Sequence, residues 1–313
     1  MPNAEIFNSS GKPLYRLLME HVRSQLVRVS QDQPVLIEDT REVSRYIIEE
    51  SRGSSGLLEV CMGYYDAADL AVSHAVNVAV YALSMGSGMG LPDDDLEDLV
   101  IGGLLHDIGF GKVPLFHRDE SELSEYVEDP DKVLTEEDQE MVARHPRLGA
   151  DAILKESDQA GRVADILLQH HEKADGSGYP RGLPEDAQLR PARILSLIDT
   201  YEALIHPRPF RDALVPPVGI ESIKQAQKGA FSPDLLKELL VSLTLFPVGH
   251  FVMLTDGSVG KVVAVHRAHP LRPDVEVRFD PDGRRLEEPA LVELRNEQML
   301  GVERALPRFK KGE

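Results

Sequence analysis

Five histidines and two aspartates in this 313-residue chain have the types and spacing to do metal chemistry: His74, His106, His145, His170 and His171, with Asp107 directly after His106 and Asp199 further along. Imidazole nitrogens and carboxylate oxygens are ligands for divalent transition metals. A single histidine on an apolar helix is ordinarily a core residue with a local partner. Two doublets change that reading. His106-Asp107 closes the apolar run Gly102 to Leu105, and His170-His171 closes the run Val163 to Gln169; polar groups buried at such places must be satisfied. Coordination would satisfy them together. Seven such ligands exceed what one ion needs, whereas two ions about 3.5–4 Å apart sharing a carboxylate use them, lower the pKa of a bridging water and clamp a phosphate oxygen. The set predicts a metal-dependent phosphohydrolase.

The elements that must position these groups are mostly helical. Ala67 to Leu83 reads as one helix, ended by the glycines of MGSGMGLP. Pro92 suits the first turn of the next, whose Leu96, Leu99, Val100, Gly103 and Leu104 lie along one face. Leu134 and Thr135 followed by Asp138 resemble a staple and cap for a helix running toward Arg144, and Pro146 should pull His145 out of helical geometry. Val163, Ile166, Leu167 and His170 form another stripe, and Pro191 opens a helix with Ile194, Leu195, Ile198 and Tyr201 inside. Beyond Phe246 the period becomes two: HFVMLTDGSVGKVVAVH reads as a hairpin around Asp256-Gly257, and DVEVRFDPDGRRLEEP as strands broken at Asp282-Gly283. Three regions follow. Residues 1–58 carry apolar positions at helical spacing (Leu14, Leu17, Leu18, Val22, Ile47, Ile48) without a chemical motif, and read as a sensor or dimerisation segment or a plain packing extension; 59–244 is the helical region with the histidines; 245–313 is a small β module.

Composition narrows the classes. One cysteine, Cys61, excludes an internal disulfide and a thiolate cluster, so a metal must be held by histidine and carboxylate. The formal charge of −19 argues against a general nucleic-acid or anionic-membrane surface. Between Leu91 and Glu140, 17 acidic residues stand against Lys112, Arg118 and Lys132, a net of −14 that reads as a solvated face. The start lacks a basic-then-apolar leader and no stretch of about 18 apolar residues is evident, which leads us to expect a cytoplasmic protein without membrane contact.

The runs LLHDIGFGKVP, HPRLGADAIL, HHEKADGSGYPRGLP and ARILSLIDTYEALIHPRPFRDAL follow in the order and spacing of the HD-GYP family, bacterial phosphodiesterases of cyclic di-GMP within the HD superfamily. The tail FPVGHFVMLTDGSVGKVVAV resembles the small β extension that often follows this domain, so the resemblance covers about 59–305. It implies a mainly α fold: an HD-type helical bundle with an N-terminal helical extension and a small C-terminal β module. It assigns His74, His106, Asp107 and Asp199 to one metal, and His145, His170 and His171 to a second that Asp107 bridges. The glutamate that holds a third metal in some members would fall at Leu70, and nearby Asp66 and Asp69 have the wrong helical phase to replace it, so two divalent ions are expected, iron or manganese, with zinc or nickel compatible.

The same resemblance implies cyclic di-GMP as substrate, opened to linear pGpG by a hydroxide bridging the ions, with slower conversion to GMP. Arg208 and Arg211 match the family's phosphate-contacting pair. Gly178, Tyr179 and Pro180 of the signature turn are expected to meet the nucleotide, and Glu172 and Asp175 to fix imidazole tautomers from behind. Many members carry a lysine where this chain has Phe110; Lys112 is expected to reach the same phosphate. Homodimers through the N-terminal helices and signalling partners at the Gly-Tyr-Pro turn fit the family. Two alternatives remain open: a nucleotide receptor that hydrolyses poorly, and a hydrolase of another cyclic dinucleotide.

Overall fold

The computed structural model describes residues 11–52, 56–63, 69–113, 135–155, 160–207, 213–214, 216–226, 228–243, 246, 248–266 and 269–306. The helices among them are α1 (Gly11–Ser30), α2 (Ile37–Ser51), α3 (Gly56–Gly63), α4 (Leu70–Gly88), α5 (Asp93–Leu105), α6 (Glu136–Val142), α7 (His145–Leu154), α8 (Gly161–Gln169), α9 (Arg190–Ile205), α10 (Pro216–Ala226) and α11 (Pro233–Ser242). A 3-10 turn, Ile108–Lys112, follows α5.

Helix α4 is the axis of the bundle. Its sequence is apolar all round, the pattern of a helix enclosed on every side, and Val72 through Leu83 are buried without a break. It packs against α1, α3, α5, α9 and α11. The helix runs past the expected stop: Gly86 lies inside it under the side chains of Leu96 and Leu99, and the chain turns only at Gly90, which has φ +65°. This 19-residue helix, with a mean hydropathy of 1.3 over an 18-residue stretch, is long and apolar enough to cross a membrane, contrary to expectation. Its burial here accounts for that composition.

Helix α5 begins after Pro92 with three consecutive aspartates, which suit the positive end of the helix dipole. Its face meets α4 through Gly103, where a Cβ would stand 2.5 Å from the Cα of Ala79. Thr135 and Asp138 form the expected reciprocal cap of α6; Leu134 lies outside the described residues. His145 is the first residue of α7, not displaced from it, because Pro146 falls in the first turn, where its missing N–H removes no helical bond.

The N-terminal helices share this core. Tyr15, Leu18, Met19 and Val22 of α1 are buried with the α4 residues, and Arg41 and Arg45 of α2 both pair with Glu97 of α5. Leu17, in contrast, is exposed.

The C-terminal module is an antiparallel sheet of β1 (Phe251–Leu254), β2 (Val259–Ala264), β3 (Asp274–Phe279), β4 (Arg285–Glu293) and β5 (Val302–Ala305), in the order β4-β3-β2-β1-β5. Both expected hairpin turns are present, with Gly257 at φ +90° and Gly283 at φ +77°.

The close contact of α4 with α5 yields a test. Gly103→Ala must push α4 and α5 apart, and we expect a loss of about 1–3 kcal/mol in urea-unfolding stability.

Candidate metal centre

Three of the histidines are set by one local device. His106, His145 and His170 each sit at a helix end, and each Nδ1 reaches the backbone carbonyl three residues earlier: Gly103 O at 2.9 Å, Val142 O at 2.8 Å and Leu167 O at 2.5 Å. A carbonyl only accepts, so Nδ1 carries a proton there and Nε2, pointing away from its helix, is the nitrogen left to ligate. His74 lies inside α4, where the carbonyls are used by the helix. Its Nδ1 is held instead by a carboxylate oxygen of Glu202, one turn beyond Asp199 on α9.

The Nε2 atoms converge. His145 and His170 approach to 3.1 Å, and His74 and His106 to 3.3 Å. Asp107 lies between the two pairs, with Oδ2 3.3 Å from His106 Nε2 and Oδ1 3.3 Å from His145 Nε2. Asp199 spans them as well: Oδ1 is 3.0 Å from His74 Nε2, and Oδ2 is 3.7 Å from His171 Nδ1. All seven expected ligands are thus brought together, in two groups that could each hold a metal ion, His74 with His106 and Asp107, and His145 with His170 and His171.

The donor set fits such ions. With protons fixed on both Nδ1 atoms, His145 and His170 bring their Nε2 atoms to 3.1 Å of each other, an arrangement that a cation between them would satisfy. Burial pushes His170 well below its ordinary range and His171 down to about 4, so both are neutral near pH 7, the form able to ligate. Burial would also lower His74, but the Glu202 and Asp199 carboxylates outweigh it and push it up to about 10. Burial would raise the carboxyl of Asp107, yet His106 and His145 hold it well below the carboxylate range. Asp199 is likewise held low, against its burial, by His74 and His171.

Backbone geometry enforces the closeness. Gly109, in the turn after Asp107, passes so near α7 that a Cβ would lie 2.0 Å from His145 O. This draws the His106-Asp107 end of α5 against the start of α7.

Several expected roles come out differently. Glu172 is buried but holds no imidazole: its two oxygens accept from Arg181 N and Leu183 N, both at 2.8 Å, and so fix the Gly-Tyr-Pro turn. Asp175 is exposed and caps Ser177 within that turn. Gly178 is required by the protein itself, since a Cβ there would meet His171 O at 2.3 Å and Lys173 N at 2.4 Å. Tyr179 does reach the centre, its ring 4.7 Å from that of His171, while Pro180 is exposed. Lys112 turns away to pair with Asp32 after α1, because the chain between Asp107 and Val113 coils as a 3-10 turn against α1. In place of a lysine, the Phe110 ring stacks on His145 at 4.2 Å. Asp69 pairs with Arg23 at 2.6 Å, while Asp66, Arg208 and Arg211 lie outside the described residues.

Residues 63–235, more than half the chain, match the HD domain family. The chain belongs to that family. Residues 251–308 match a KOW domain associated with the HD domain and span the five strands. Among curated relatives of this HD domain chain, cyclic di-GMP phosphodiesterase PA4108 of Pseudomonas aeruginosa is 31% identical over 206 residues, 66% of this chain and 47% of the relative. Cyclic di-GMP phosphodiesterase PdeB of Borreliella burgdorferi is 30% identical over 203 residues, 64% of this chain and 50% of the relative. The chain therefore spans about half the length of the curated relatives it matches. The solved structure of Bd1817, an HDG"Y"P protein from Bdellovibrio bacteriovorus, has a TM-score of 0.59 at 19% identity, covering 74% of this chain and 73% of that one, a likeness of fold. The HD-GYP resemblance of the motifs stands with these matches.

Glu202 is the site residue that sequence reasoning missed. Its signal was present: an acid three residues after Asp199 shares that helix face.

The His74 proton supplies a test. With a metal-free pKa of about 10, His74 must lose a proton to ligate near neutral pH. Calorimetry in buffers of different ionisation enthalpy should find proton release on metal uptake, and apparent affinity should rise about tenfold per pH unit from neutrality toward pH 10. Binding without proton release would contradict the assignment.

Proposed function

We propose that this chain is a metal-dependent phosphodiesterase that opens cyclic di-GMP to linear pGpG, with slower conversion to GMP. The observation that carries the reading is the position of Asp107, one carboxylate whose two oxygens face two separate imidazole groups. The substrate is suggested by the names of the relatives, cyclic di-GMP phosphodiesterases at about 30% identity.

In this reading His74, His106, Asp107 and Asp199 hold one ion, and His145, His170 and His171 hold the other with Asp107 between them. Iron or manganese suits the mixed nitrogen and oxygen donors. The ion pair supplies Lewis acidity at the phosphate and an activated water at neutral pH. The chain contributes orientation: backbone carbonyls lock three imidazoles with Nε2 forward, and Glu202 locks the fourth. Tyr179, whose ring lies against His171, is assigned to the nucleotide on the motif resemblance. Arg208 and Arg211 are assigned to the phosphates on the motif resemblance. Leu70 offers no third ligand, which favours pGpG as the main product.

The receptor reading draws on one observation, the stacking of Phe110 on His145 together with the diversion of Lys112 to Asp32. That arrangement leaves this part of the site without the cation common in the family. Chromatography of cyclic di-GMP incubated with anaerobically purified protein, loaded with Fe(II) or Mn(II) and compared with a metal-stripped control, decides between the two. We expect metal-dependent pGpG, GMP lagging behind, and no turnover in Asp107→Ala. Intact nucleotide in every sample of confirmed metal content would overturn the hydrolase of cyclic di-GMP and favour the receptor.

A further inference from the structure

A buried file of hydrogen bonds connects the N-terminal helix to the metal centre. Tyr15 on α1 is 2% exposed, and its hydroxyl donates to Asn77 Oδ1 at 3.1 Å. Asn77 stands one turn after His74 on α4 and donates from Nδ2 to Glu202 Oε1 at 3.1 Å. The other oxygen of Glu202 holds His74 Nδ1. From the far side, His206 Nδ1 lies 3.1 Å from Glu202 Oε1, and His206 Nε2 is 3.3 Å from Cys61 O.

Each link sets the next. The Tyr15 hydroxyl fixes which way the Asn77 amide points, oxygen toward α1 and nitrogen toward the carboxylate. Without it Asn77 Oδ1 loses its Tyr15 donor, and the amide's seat against Glu202 loosens. In a buried, weakly polarisable setting such polar contacts are strong when complete and costly when broken. Two surface pairs hold α1 in the same place: Arg23 with Asp69 at the start of α4, and Asp32 with Lys112 after the His106-Asp107 turn. The N-terminal helix is therefore docked across both segments that supply the His74 group.

We propose that Tyr15 is a positioning residue of the metal centre: acting through Asn77 and Glu202, its hydroxyl sets the seat of His74, so that the docking of α1 governs how tightly the His74 group holds its ion. The proposal rests on the metal-dependent reading above and gives the N-terminal helices a function in it. Tyr15 touches neither ion nor substrate. Its effect is on binding of one ion of the two.

Mn(II) titration of the full-length chain, with free Mn(II) followed by electron paramagnetic resonance, tests this. Tyr15→Phe keeps the ring and removes only the hydroxyl. It should weaken one class of Mn(II) site by about 3–10-fold, less than the loss typical when a ligand's own partner is removed, and leave the other class within about twofold. The weakened class should be the one that His74→Ala eliminates. In a Glu202→Gln background, Tyr15→Phe should have no further effect, the non-additivity expected of one connected file. Leu18→Val, a buried packing change one turn along α1, should lower stability and leave both classes unchanged. Wild-type Mn(II) binding in Tyr15→Phe, or equal weakening of both classes, would overturn the proposal. Turnover on the same samples keeps the two readings apart. Two Mn(II) classes without hydrolysis would remove the substrate assignment and leave the file intact, whereas normal hydrolysis with unaltered Tyr15→Phe binding would remove the file alone. A wild-type chain that takes up no Mn(II) would overturn both.

Discussion

The placement of one carboxylate governs this structure. Asp107 presents its two oxygens to two imidazole groups that arrive from different helices, and it is the carboxylate that lies between them. Five segments meet at that point: the second turn of α4, the end of α5, the start of α7, the end of α8 and the middle of α9. Histidines at helix ends suit the task because a carbonyl three residues back lies within reach of Nδ1 there, which fixes tautomer and aim together. The interior histidine, His74, lacks that option and takes Glu202 in its place.

The bundle is tuned to bring those ends close. Gly103 lets α5 lie on α4, Gly109 lets the turn after Asp107 lie on α7, and Gly178 lets the signature turn fold back on the His171 segment. In each case the missing side chain is what permits the contact. Glu172, buried beneath the turn, then ties its backbone with two hydrogen bonds. The Gly-Tyr-Pro segment is thus built to carry Tyr179 to the ring of His171.

Much of this was legible in the sequence, for physical reasons that also mark the limits. The seven candidate ligands stood out because polar doublets at the ends of apolar runs demand a partner, and the helices and hairpins followed from period, prolines and Asp-Gly turns. The extension of α4 from Leu83 to Gly88 through Gly86 was not legible, since the glycine is held in the helix by leucines of α5. The direction of Lys112 depended on a partner eighty residues earlier, Asp32, that no local pattern links to it. Glu172 carried the expected importance with a different role, because a buried acid near histidines can satisfy backbone N–H groups as well as imidazoles. The file from Tyr15 through Asn77 to Glu202 joins three distant stretches of chain and exists only in the folded packing.

The central claim, that Asp107 joins two metal-binding groups, is tested most directly by a crystal structure of the Mn(II)-loaded chain with anomalous scattering. The account predicts two peaks flanking Asp107, one against His74 and His106 and one against His145, His170 and His171. A single peak, or two ions that leave Asp107 uncoordinated, would contradict it.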